Sequence, residues 1–82
     1  MSSTASEAVQ SPSISGDQAL RIADADAIHA YRDLSTFRII LALEPDGWHV
    51  DYALKNQLAV GGGPHYLIDA TTGAILSKRY EQ

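Results

Sequence analysis

The sequence predicts an α+β fold: one N-terminal helix packed on a curved antiparallel sheet of three to four strands in meander order. Three observations predict it. Leu20, Ala23, Ala27 and Tyr31 recur at three- and four-residue spacing, which puts them on one face of a helix. Trp48, Val50, Tyr52 and Leu54 alternate with His49, Asp51 and Ala53, which puts a large apolar set on one face of a strand. Glu44-Pro45-Asp46-Gly47 and Asp69-Ala70-Thr71-Thr72-Gly73 are turn sequences that divide the second half of the chain into hairpins.

The helix is expected over residues 17–31, behind an N-cap in Ser15-Gly16-Asp17, with Asp17 at the positive end of the helix dipole. Its alanines favour helix, while Asp24 and Asp26 weaken its middle. A helix this modest requires a sheet to lie on. From Thr36 to Leu43 the residues are β-branched, aromatic or aliphatic apart from Arg38, which reads as a strand. Asp46-Gly47 tolerates the positive φ that reverses the chain into the strand Trp48 to Leu54, whose apolar face is expected to meet the helix. Lys55 to Pro64 is a loop ending in Gly61-Gly62-Gly63-Pro64; a third strand follows from His65 to Ala70, and a last one from Ala74 to Tyr80. Trp48 and Tyr66 are assigned to the core, and Tyr80 to the surface.

Eighty-two residues suffice for one small core and not for two. Residues 1–14, rich in serine, read as a flexible leader, and residues 15–82 as a single domain. The leader lacks the basic start and apolar run of a signal peptide. The longest apolar stretches fall far short of the ~20 residues of a membrane helix. A cytoplasmic protein is expected, with no membrane partner. Six Lys and Arg stand against ten Asp and Glu, a net charge of -4 with no basic cluster, so nucleic acid is not expected as a partner either. There is no cysteine, which removes disulfides, thiolate nucleophiles and thiolate metal sites.

The residues that invite a chemical reading are few. His49 and Asp51 share one strand face, and His65 and Asp69 share a face of the next, but none sits in a recognised metal-ligand spacing. No serine has the glycine-flanked elbow of a nucleophile. Gly61, Gly62 and Gly63 feed a strand rather than a helix and lack the following Lys-Ser or Lys-Thr of a phosphate loop. No catalytic residue, metal or cofactor is therefore expected. A binding role suits an open sheet with exposed edges better than catalysis does.

Asp46-Gly47-Trp48-His49-Val50-Asp51-Tyr52 and Gly61-Gly62-Gly63-Pro64-His65-Tyr66-Leu67-Ile68-Asp69-Ala70-Thr71-Thr72-Gly73-Ala74-Ile75-Leu76 together carry a resemblance. They resemble the small bacterial immunity proteins of polymorphic-toxin and contact-dependent systems, those with truncated nuclear-transport-factor-like folds, over about residues 18–82. The closing Ile-Asp-Ala-Thr-Thr-Gly-Ala-Ile-Leu segment is also similar to peptidase-propeptide-like (PepSY-type) domains. The first resemblance implies a non-catalytic protein that neutralises a cognate toxin by covering its active site, with an acidic surface suited to a basic cleft. The second implies an inhibitory module that binds a peptidase. In both, Trp48, Pro64, Asp69 and Gly73 are structural, and no catalytic residue carries over. The expected partner-binding residues are His49, Asp51, Gly61, Gly62, Gly63 and His65, on the sheet face opposite Trp48. A homodimer is also expected, because a core this small leaves apolar sheet uncovered.

Overall fold

The computed structural model describes residues 12–56 and 62–80. Helix α1 spans Gly16–Ala30, one residue earlier at each end than the apolar spacing predicts. Its start is set by a reciprocal capping box. Ser15 Oγ accepts from the Gln18 amide at 3.1 Å, and Gln18 Oε1 accepts from the Ser15 amide at 2.8 Å, so two amides that the helix cannot satisfy internally are both paired. The helix stops where Tyr31 turns extended (φ -127, ψ 131), its amide still bonded to the Ala27 carbonyl.

Four strands follow: β1 (Phe37–Glu44), β2 (Gly47–Leu54), β3 (His65–Ile68) and β4 (Ile75–Arg79). They form one antiparallel sheet in the order β1-β2-β3-β4. This is the α+β meander that the turn signals predict. Among the described residues no helix is long and apolar enough to cross a membrane.

The helix lies on one face of the sheet, its inner face. Ala19, Ala23 and Ala27 form a fully buried stripe at four-residue spacing, and small side chains there let the helix axis come close to the strands. Val50, Tyr52, Tyr66 and Ile68 rise from β2 and β3 to meet it, and Trp48, Leu20 and Ile22 pack around that core. Tyr52 and Tyr66 meet edge to face at 6.2 Å, and a chain of such contacts continues through Phe37 and Tyr31 to Tyr80.

Glycine is required at Gly47. Its φ is +135, and a Cβ there would lie 2.5 Å from the Ile68 carbonyl oxygen. Gly73, at φ +82, serves the β3–β4 turn in the same way. Asp69 builds that turn: its carboxylate accepts from the amides of Thr71 (2.7 Å) and Thr72 (3.0 Å), while its own amide bonds to the Ala74 carbonyl. This is why β3 ends at Ile68 instead of running to Ala70. Asp69 therefore belongs to the turn, and the face expected to hold both His65 and Asp69 carries His65 alone.

A bulge between Leu67 and Ile68 and the start of β4 resets the alternation. Ile68 pairs with Ile75, while Leu67 pairs with Ser77, so Leu76 is the extra residue. Ile75 thereby packs toward the core and Leu76 is left exposed.

Ile14, assigned by composition to the leader, is tied into the fold on both its backbone groups. Its amide bonds to the Ala70 carbonyl at 2.8 Å, and its carbonyl accepts from the Trp48 indole at 2.7 Å.

Candidate binding surface

Strand alternation puts His49, Asp51, His65 and Leu67 on the outer face of the sheet, opposite Trp48, Val50, Tyr52 and Tyr66. The register makes them neighbours: Asp51 stands across from His65, and His49 from Leu67. His65 Nδ1 meets Asp51 Oδ1 at 2.7 Å. His49 Nε2 meets Asp46 Oδ1, in the β1–β2 turn, at 2.7 Å. Asp46 raises the pKa of His49 above the ordinary histidine range, and His49 in turn lowers that of Asp46. The two pairs, His49 with Asp46 and His65 with Asp51, are each hydrogen-bonded at the sheet surface, so these four side chains are held in place before anything binds.

Two shallow depressions flank the pair His49 and Asp51. One, of about 490 Å³, continues over His65 and Leu67 to Ser77 and Arg79 on β4. The other, of about 470 Å³, runs over Ala42 to Glu44, Pro45 and Asp46. Acidic groups line the β1–β2 side and basic groups the β4 side. The surface is open, which suits a broad protein contact better than the enclosure of a small ligand. Among the described residues no group of three or more histidines and carboxylates is placed to hold a metal ion.

Of the glycines of the predicted site, Gly63 separates from this cluster. Gly61 lies outside the described residues, and Gly62 is partly buried. Gly63 is buried against the inner side: a Cβ there would stand 2.7 Å from Tyr52 Cβ and 2.9 Å from Phe37 Cε1. Its amide bonds to the Tyr52 carbonyl, and the Tyr52 amide to the Pro64 carbonyl, so Gly63 and Pro64 extend the β2–β3 pairing. Gly63 is thus a packing device, and among the described residues of the expected set it is His49, Asp51 and His65 that come together.

The sequence reading missed a second polar cluster, between helix and sheet. The Tyr52 hydroxyl donates to Asp24 Oδ1. Asp26 accepts from the Tyr66 hydroxyl (2.8 Å), the Tyr80 hydroxyl (2.6 Å) and Lys78 Nζ (3.0 Å). These donors, Tyr80 first and then Tyr66 and Lys78, hold the Asp26 carboxyl at about 2. Burial, and then the bond to Asp26, pushes the Tyr66 hydroxyl well above the usual phenol range. Asp24 and Asp26, which weaken an isolated helix, are the groups that fasten this one to three strands. Tyr80 remains exposed, as expected, yet its hydroxyl is committed to Asp26. The available signal was the placement of two aspartates beside the alanine stripe, in a chain with four tyrosines.

Comparison with known proteins finds no family model that matches the chain, and no similar curated protein or solved structure.

Proposed function

We propose that the protein is a non-catalytic binding protein that neutralises a cognate bacterial toxin by covering its active site, using the outer face of the sheet. The observation that supports this reading is the pre-organised row Asp46–His49 and Asp51–His65 on an open, shallow surface. Such a surface offers fixed carboxylates to a partner and loses little side-chain freedom on binding. The overall charge of -4 favours a basic partner, and the Glu44, Asp46 and Asp51 side of the face is where a cationic cleft would be drawn. The helix, the alanine stripe and the tyrosine layer then serve as the rigid support behind that face.

The test is protection in cells. The chain, co-expressed with the toxin-like protein encoded beside it, should restore growth, and Asp51→Lys should abolish both protection and binding while leaving the far-UV circular dichroism unchanged. Protection that survives Asp51→Lys and His65→Ala together would move the contact off this face. Slowed proteolysis by a co-encoded peptidase, with no effect on any toxin, would replace this reading with that of a propeptide-like inhibitor.

A further inference from the structure

The two edges of the sheet are built differently. β4 is five residues long, is interrupted by the bulge at Leu76 and carries Lys78 and Arg79, features that discourage another strand from adding. Among the described residues β1 is neither short nor bulged, and its two charges, Arg38 and Glu44, flank an uncharged run from Ile39 to Leu43. The strand is eight residues of unbroken register against β2, without proline, and Ile39, Ile40, Leu41 and Leu43 are each 36–47% exposed.

Backbone direction along β1 is fixed by its pairing. The Lys55 amide bonds to the Thr36 carbonyl, and amide directions alternate along a strand, so even-numbered β1 residues address β2. The odd-numbered ones address the open edge. The Phe37 amide is taken by the Leu34 carbonyl at 3.1 Å, which leaves the stretch from Ile39 to Leu43 to receive a strand.

We propose that this edge pairs antiparallel with β1 of a second copy of the chain, about a two-fold axis at Leu41. In that register Leu41 faces Leu41 of the partner subunit, and Ile39 faces Leu43 of the partner subunit, so edge amides meet edge carbonyls. Charge complementarity selects it: Arg38 then stands opposite Glu44 of the partner subunit, and the two-fold repeats the pair. Moving the axis one residue either way sets Arg38 against Ala42 of the partner subunit, or Ile40 against Glu44 of the partner subunit. Pairing at Leu41 joins the two sheets into one of eight strands, covers the exposed Ile39, Leu41 and Leu43 of both copies, and puts both helices on the same face. This assembly does not rest on the proposed toxin-binding role.

The register is tested with single cysteines, since the chain has none of its own. Directly opposed Cα atoms lie about 5.5 Å apart, within disulfide reach, so Leu41→Cys should cross-link to a dimer under mild oxidation. Leu43→Cys should not, because four residues of offset separate its Cα from its symmetry mate by about 13 Å. On the full chain, Arg38→Glu or Glu44→Arg should raise the dimer dissociation constant at least about tenfold by sedimentation equilibrium, because like charges then stand opposite twice; the double exchange should restore it. A mass of 8.8 kDa at every concentration, equal cross-linking at both cysteine positions, or a dimer indifferent to both charge reversals would each overturn the proposal.

Discussion

Asp26, in the third turn of α1, accepts a hydrogen bond from the Tyr66 hydroxyl, forty residues further along the chain and one layer away. With Tyr80 and Lys78 on the same carboxylate, the helix is fixed at one point to both β3 and β4. Apolar packing of three alanines would allow the helix to slide; a carboxylate with three donors holds it in one place.

This contact makes the protein acid-sensitive. The folded Asp26 carboxyl titrates at about 2, below the ~3.9 of an unfolded aspartate, so its contribution is complete above about pH 4 and is lost as pH falls toward 2. Asp26→Asn should cost about 1–2 kcal/mol at pH 7, kept modest because solvent reaches the carboxylate, and should flatten the dependence of the urea midpoint on pH between 4 and 2. An acid limb unchanged in the variant would assign that sensitivity to other carboxylates.

Gly47→Ala should destabilise by about 2–4 kcal/mol, since it combines a positive φ with a Cβ 2.5 Å from the Ile68 carbonyl oxygen. Gly63→Ala, with ordinary backbone but a Cβ pressed on Tyr52 and Phe37, should cost about 1–3 kcal/mol. Chemical denaturation reads both, and a neutral Gly47→Ala would mean that the β1–β2 turn rearranges without cost.

His49 should titrate above the usual histidine midpoint when followed by proton NMR, because Asp46 favours its charged form. Asp46→Asn should bring that midpoint down. The ion pair is present at low pH and is lost as pH rises through the His49 midpoint, so binding that depends on it should weaken toward alkaline pH. A His49 midpoint indifferent to Asp46→Asn would show that the two side chains part in solution.

Trp48→Phe keeps an aromatic ring, though a smaller one, and removes the donor to the Ile14 carbonyl. It should cost about 1–2 kcal/mol and speed hydrogen exchange at the Ile14 amide, whose acceptor is the Ala70 carbonyl. Exchange that stays slow would mean the Ile14–Ala70 bond holds the segment by itself.

What could be read from the sequence was local. The N-cap in Ser15-Gly16-Asp17 adjoins the helix it starts, Pro45-Asp46-Gly47 closes a hairpin by its own backbone preferences, and the alternation from Trp48 to Leu54 is a property of seven adjacent residues. The placement of His49 and Asp51 opposite Trp48 followed from the same period. What could not be read was set by distance or by count. Asp24 and Asp26 find tyrosines 28 and 40 residues away, so from propensity alone they register only as poor helix formers. The bulge at Leu76 adds one residue to a strand and changes which of Ile75 and Leu76 is inside, a choice made by the geometry of the Asp69 turn rather than by hydrophobicity. Gly61, Gly62 and Gly63 are identical in sequence, and what sets Gly63 apart is its contact with Tyr52 and Phe37, which lie far from it along the chain.

Trp48 is the chain's single tryptophan, and its indole is held between the Ile14 carbonyl and the first residues of the helix. The tyrosines, by contrast, gather toward the other end of the helix, around Asp24, Asp26 and Tyr31. The molecule thus has two separate optical reporters. Emission excited selectively from the indole follows the entry segment docking on the sheet, and tyrosine absorbance follows the helix settling over β2, β3 and β4. A single unfolding experiment can therefore tell whether the two ends of this small fold come apart together or one before the other.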